Sequence, residues 1–495
     1  MGLLLAFSVS AHAVSPLNVC ANWIARATTS HYWFNDGPYV AVVDPYSSGR
    51  YLAERLTRRG YRVLAVHSFP EIVDALKGSY RARSVAADFY PSATIDVEQI
   101  EKMSDRLSRY TYPRVSREKA LKAIFIGSEN GVVLGDGLTH LLHLPGNEPT
   151  LSLTKRDKAK MHERLALLGL AHIRHQRTNS LAKVLEWIYG PENQGRFPVV
   201  IKPIDSAATQ GVSICETEDE VRAAFKDLMD VTGAGSRTVF NSRISEVLVQ
   251  EYLQGVDSTS TEEASEYVVN TMSSNGRHIV TDIIRYRKLR VQRANGSHTA
   301  IYLFDEFIPL NDPVALEMRK YALEVLDATG VRYGAAHMEI MRTARGPVLV
   351  EIGARPAGSG IPEIAARAYT HHPLDIMIDA YLNPDAFNDL WVTETKLPGS
   401  SQRFLNHARQ VAFIAPNAGA LEALPFLAEL KDLRSYVSHS FNFKVGEFIP
   451  LTEDLVTSPG HVELAHPDPT VVEADYQLIR KWERQGFFRI RERVK

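Results

Sequence analysis

Cysteine is scarce in this chain: Cys20 and Cys215 are the only two in 495 residues. Two thiols cannot build the disulfide framework of a small secreted scaffold, and their scarcity fits a reducing compartment. A surplus of positive charge is also missing, since 56 Lys and Arg face 58 Asp and Glu, a formal charge of −2. Holding nucleic acid or an anionic membrane surface takes a cationic excess, so neither partner is expected. No apolar run reaches the ~20 residues of a membrane-crossing helix. Internal repeats and like-charge blocks are absent too, while 45% hydrophobic residues suffice for sizeable cores. The length suits about two to four domains. Residues 2–9 (GLLLAFSV) ahead of Ala11-His12-Ala13 imitate a secretory signal, but no Lys or Arg precedes them. The preferred expectation is a disordered leader, residues 1–37, on a cytoplasmic protein.

From Pro38 the pattern becomes regular. Residues 39–43 (YVAVV) read as a short apolar strand ending in DPYSSG at 44–49. A helical stretch with Leu52 and Leu56 follows and stops at Arg58-Arg59-Gly60. Residues 63–66 (VLAV) and 123–126 (AIFI) are further strands, the second running into GSENG at 127–131. Strands alternating with helices predict parallel βαβ units, whose ligands gather at the carboxyl ends of strands. Both turns lie at such ends. Residues 153–169 (LTKRDKAKMHERLALLG) predict one helix, and a solvated face is the default for its Lys155, Arg156, Lys158 and Lys160.

The downstream order of motifs changes the odds. Residues 198–203 (PVVIKP) form a strand with Lys202 inside an apolar run, and DSAATQG follows at 205–211. Small residues such as Ser206 and Gly211 let backbone N–H groups approach phosphate oxygens, and a neighbouring lysine adds positive charge. Residues 246–253 (EVLVQEYL) are an apolar strand ending in Gln250, Glu251, Tyr252 and Leu253. Such a segment can offer backbone groups to an adenine edge, with Leu253 against the ring. Glu266 heads the next strand. HMEIM at 337–341 and VLVEIGARP at 348–356 read as adjacent strands joined by a tight turn, each with one carboxylate, Glu339 and Glu351. Paired acids repel unless a proton or cation joins them, and Mg²⁺ carried by nucleotide phosphates is the natural cation, with Mn²⁺ as a substitute. Arg355 adds a fixed fork of donors for phosphate or carboxylate oxygens. His337 reads as a structural strand histidine near the site. Glu306 either lines the cleft or is simply exposed.

This ordered set resembles the ATP-grasp superfamily over roughly residues 38–384, and within it the L-amino-acid ligases, the bacilysin-ligase-like dipeptide synthetases. The narrower likeness rests on DPYSSG at 44–49, GSE at 127–129, LPGN at 144–147, RDK at 156–158 and EIGARPAG at 351–358. The resemblance implies an α/β (α+β) fold: an N-terminal parallel βαβ domain at 38–150, a mobile lid subdomain at 151–255, a metal-bearing antiparallel catalytic subdomain at 256–390, and a C-terminal extension at 391–495. It implies that Lys158 and Lys202 meet the phosphates of ATP, that the loop from Ser206 to Gly211 closes over them, and that Gln250, Glu251, Tyr252 and Leu253 hold the adenine. Glu339 and Glu351 would hold Mg²⁺, and Arg355 would steady an acyl phosphate and a tetrahedral intermediate. Glu129 matches an acid that faces an amino-acid ammonium, although a helix cap explains it equally well. Glu266 matches the ribose carboxylate, but residues 256–265 stretch the usual gap and Asp257 stands at the uninserted spacing, so both stay candidates. Gly353 occupies a position where many relatives carry Asn. The implied activity is ATP-dependent amide formation between an amino-acid carboxylate and an amine through an acyl phosphate, with release of ADP and phosphate. A bicarbonate-using carboxylase and a non-catalytic nucleotide binder are the alternatives. The expected partners are small amino-acid substrates, with a homodimer left open.

Overall fold

The computed structural model describes residues 36–72, 80–204, 209–230, 244–258 and 263–491, so Ser206 and residues 1–35 of the expected leader lie outside them. The first apolar segments pair into an all-parallel sheet in the order Ala87–Phe89, Arg62–Val66, Tyr39–Val43, Ile124–Ile126. Val40 to Val43 are fully buried, as parallel strands covered on both faces require. The turns that follow Val43 and Ile126 touch each other. A Cβ on Gly127 would stand 2.6 Å from the Asp44 carbonyl oxygen, and one on Gly49 would stand 2.8 Å from Gly127 Cα. Only glycine permits that approach.

Among the described residues a twelve-stranded sheet dominates the rest. Its main path runs Gly346–Gly353, Gly334–Thr343, Glu263–Ser274, Arg277–Gln292, His298–Phe307, Ser213–Cys215, Val199–Pro203, Val247–Glu251, His175–Thr178. Every pairing along it is antiparallel. The strands that carry Lys202 and Glu351 belong to halves joined by a single rung, His298 opposite Ile214. The C-terminal residues extend this same sheet: His407–Ala412 pairs with His298–Phe307, Gly460–His466 pairs with His407–Ala412, and Tyr436–Phe441 lies beyond.

The helix expected over 153–169 starts later, at Lys158. Asp157 caps Lys158–Leu167 by accepting from the N–H groups of Ala159 and Lys160, while Pro149–Lys155 forms a tighter 3₁₀ turn. The solvated-face expectation fails with it. Lys155 is fully buried with Nζ 3.4 Å from Asp136 Oδ2, Lys158 is buried, and of the four cations only Lys160 is exposed. Met161 and Leu165 anchor this helix in the core formed with Val325, Leu326, Met338 and Leu349. That packing fixes Lys158 against the sheet.

Candidate active site

The turn between Gly334–Thr343 and Gly346–Gly353 sets Glu339 directly opposite Glu351, with an irregularity in the ladder just after Glu339. Lys158 Nζ stands 3.0 Å from Glu351 Oε2. His337 Nε2 stands 3.7 Å from Glu339 Oε1, and its Nδ1 pairs with Asn270 Oδ1 at 2.8 Å. Burial works to raise the Glu339 carboxyl, yet His337 and Lys288 hold it well below the usual carboxylate range. Lys202 comes from the other half of the sheet. Burial and the Lys158 ammonium bring it down to about 8, against the opposing pull of Glu351, Glu339 and Glu266. Two lysines and three acids therefore share one space.

Glu266 is buried beside Glu339, its Oε2 2.7 Å from Lys288 Nζ. Burial lifts it to about 8 in spite of Lys288. Its carboxyl thus sits with the acid pair. The other ribose candidate, Asp257, is engaged by Arg342 Nη1 at 3.0 Å and by the Tyr267 hydroxyl at 3.1 Å. In the adenine segment the Glu251 side chain is clasped by Arg174 at 2.7 Å and Arg345 at 2.6 Å, so that side chain anchors the strand end. Leu253 packs with Ile173 and Val348, Tyr252 is half-buried, and the buried Gln250 Oε1 receives no hydrogen bond among the described residues. Gly211 has φ of +73°, and a Cβ there would stand 3.0 Å from the Pro203 ring, beside the strand that carries Lys202.

Glu129 links the two sheets. Its Oε1 accepts from Arg156 at 3.2 Å and its Oε2 from Arg355 at 3.1 Å. Glu129 also opens the 3₁₀ turn Glu129–Gly131 that leads into the helix Val132–Leu141, but both its oxygens go to guanidiniums and neither caps that helix. Burial would raise this acid, but Arg156, Arg355 and Lys158 outweigh it and hold Glu129 at about 2. Glu306, by contrast, turns away. Arg409 Nη2 binds it at 2.8 Å and Arg285 joins from the neighbouring strand.

A divalent cation fits this arrangement. Three acids crowd one sheet face, Glu339 directly opposite Glu351 with Glu266 beside Glu339. Among the described residues no three His, Cys, Asp or Glu side chains form a complete ligand set. Glu339 and Glu351 would then supply two ligands, with phosphate oxygens and water as the rest, the usual pattern for Mg²⁺. Two contributors to the site escaped sequence reasoning, Lys288 and Asp305. Each lies in a long strand whose facing depends on register, and a lysine within RYRKLRV gives no separate signal.

Residues 195–363 match the family described as ATP-grasp domain. Dapdiamide A synthase from Enterobacter agglomerans is 29% identical over 449 residues, covering 90% of this chain and 96% of the relative. The crystal structure of an L-amino acid ligase from Bacillus licheniformis superposes with a TM-score of 0.65 at 16% identity, covering 90% of this chain and 98% of that one. N5-carboxyaminoimidazole synthetase from Staphylococcus aureus, complexed with ADP, superposes at 0.58 with 13% identity, covering 91% and 100%. At such identities the structural likenesses establish a shared fold.

Proposed function

We propose that this chain, an ATP-grasp enzyme of the ligase kind, forms an amide between an amino-acid carboxylate and an amine, that of a second amino acid. The observation that carries this reading is Glu129 held between Arg156 and Arg355 beside Lys158, where the parallel sheet meets the antiparallel one. It sets an acid for an ammonium, and a fork for oxyanions, next to the Lys158, Lys202, Glu339 and Glu351 group. The relatives' names, a dapdiamide synthase and an L-amino acid ligase, support the same reaction class.

A carboxylate is a poor electrophile, so it attacks the γ-phosphate of ATP and becomes an acyl phosphate. Lys158 and Lys202 meet phosphate oxygens already present in the ground state. Mg²⁺ held by Glu339 and Glu351 would supply charge neutralisation on those oxygens. Phosphoryl transfer asks a protein mainly for positioning and electrostatics. Arg355 holds two oxygens of the acyl phosphate at once, then the oxyanion that forms when the amine attacks. Phosphate leaves, and an amide and ADP remain. Glu129 orients the incoming or resident ammonium. We assign the protein to the cytoplasm, where the buried Cys215 would stay a thiol.

Pairwise incubation of all proteinogenic amino acids with ATP and Mg²⁺ tests the proposal. Phosphate and ADP should appear in equal amounts for particular pairs. Release that needs bicarbonate and ignores amino acids would favour carboxylation, the chemistry suggested by the carboxyaminoimidazole synthetase neighbours.

A further inference from the structure

One row of residues crosses five strands on the face that carries the acid pair. Glu266 is opposite Tyr286, Tyr286 opposite Asp305, Asp305 opposite Gln410, and Gln410 opposite Glu463. Directly opposed residues in antiparallel strands share a face. The row therefore starts beside Glu339 and ends in the C-terminal segment. Two strand spacings separate Glu266 from Asp305, roughly 10 Å.

Asp305 is the anomaly in this row. It is only 9% exposed, and its Oδ1 receives no hydrogen bond among the described residues. Two of its neighbours have donors engaged elsewhere. Gln410 Nε2 donates to the Ser359 carbonyl at 3.2 Å and also serves Glu463, which takes a second bond from Ser438 Oγ at 2.7 Å. Lys288 Nζ is on Glu266. A sealed carboxylate oxygen without a donor is costly in a folded protein. Burial, together with Glu339 and Glu266 nearby, pushes this carboxyl up to about 8 in spite of Lys288. An anionic group would be repelled there, and a neutral hydroxyl would bring no charge to keep the carboxyl ionised. A protonated amine supplies both the N–H donors and the charge.

We propose that Asp305, backed by Gln410 and Glu463 of the C-terminal segment, receives the ammonium of an amino-acid substrate. The inference deepens the amide-ligase reading and rests on it. The bond from Gln410 to Ser359 ties this row to the loop that begins at Arg355. The ammonium belongs either to the acyl donor or to the attacking amine, and both present the same chemistry to Asp305.

The test uses the full-length enzyme and the amino-acid pair that releases most phosphate in the pairwise screen. Asp305→Asn keeps the shape and removes the charge, while Asp305→Glu keeps the charge. KM is measured for each amino acid with the other saturating, and ADP affinity is measured by calorimetry. The Asn variant should raise one amino acid's KM by roughly 10- to 100-fold, the loss of a charge-assisted hydrogen bond. The Glu variant should recover part of this, and ADP should bind both variants as it binds the parent. Whichever KM moves identifies the donor or the acceptor as the source of the ammonium. In the parent, the des-amino analogue of that substrate should inhibit more weakly than the amino acid binds, and the Asn variant should no longer discriminate. Unchanged KM values overturn the inference and leave the amide reading standing. An equal loss of ADP binding overturns it by assigning Asp305 to the nucleotide site. A parent enzyme that responds to no amino acid overturns both.

Discussion

Asp305 and Glu306 are neighbours in sequence and opposites in circumstance. Glu306 projects to the face where Arg285 and Arg409 clasp it, and those guanidiniums overcome burial to hold its carboxyl below the usual range. Asp305 projects to the other face, among Glu266 and Glu339, where burial and the acids raise it to about 8. One face pairs its acid with two arginines, and the other gathers Glu266, Glu339 and Asp305 around Lys288. Selection for stability alone favours the first arrangement, because uncompensated buried charge weakens a fold. The second marks a surface built around ligands.

The largest effect expected from disturbing the ligand-facing side is on turnover. Arg355→Lys keeps the charge but loses the fork, and kcat should fall by ~10²–10³ while ATP affinity holds, as for the loss of one preorganised oxyanion donor. Equal losses in affinity and turnover would make Arg355 a nucleotide clamp instead. Asp44 is another buried acid, held by the backbone N–H and hydroxyl of Ser68 at 2.8 and 2.6 Å. Burial raises it from 3.8 to about 6. The folded state therefore holds this proton more tightly than the unfolded one. Its contribution is complete below pH 3.8 and is lost as pH rises through about 6, a change of up to about 3 kcal/mol. Urea unfolding of Asp44→Asn should lose that part of the pH dependence, and identical pH slopes in variant and parent would refute the assignment.

On the neutralised side the effect should be on stability only. Glu306→Gln leaves two guanidiniums facing a neutral group and should cost about 2 kcal/mol in denaturant midpoint analysis. The KM values for ATP and for amino acids should stay put, and a shift in either would break the division between the faces. The smallest expected change is in nucleotide binding. Lys202→Met should raise the Kd for ATP by roughly tenfold, because its charge meets phosphates in the ground state. Calorimetry showing intact binding with slowed turnover would move Lys202 into the transition state instead.

Much of this layout was legible in the chain. Three of the four parallel strands announce themselves as apolar runs, whereas Ala87–Phe89 gives no such signal. The twelve residues from Glu339 to Glu351, with a tight turn between, fix their opposition once both segments are strands. Local composition does not separate Lys155 from Lys158, and only the family resemblance singles out Lys158. Their difference depends on Asp136, which comes from a separate helix, and on a 3₁₀ turn that delays the helix start to Lys158. Alternation shows that Asp305 and Glu306 face opposite ways, but not which way, because an irregularity after Arg287 resets the phase of the ladder. The row from Glu266 to Glu463 joins five strands far apart in sequence, and only their register brings them into line. The choice between Glu266 and Asp257 was open for a similar reason: the inserted residues 256–265 hide where the next strand begins. Glu266 lies within Glu263–Ser274 and Asp257 ahead of it.

Transfer of the γ-phosphoryl group to a substrate carboxylate is the central step of the proposed chemistry. Oxygen labelling tests it most directly. With the amino acid that serves as acyl donor labelled with ¹⁸O in its carboxylate, one labelled oxygen should appear in each phosphate released alongside ADP. Phosphate free of label, or label carried into AMP with release of pyrophosphate, would contradict the acyl-phosphate route and the oxyanion-holding role of Arg355.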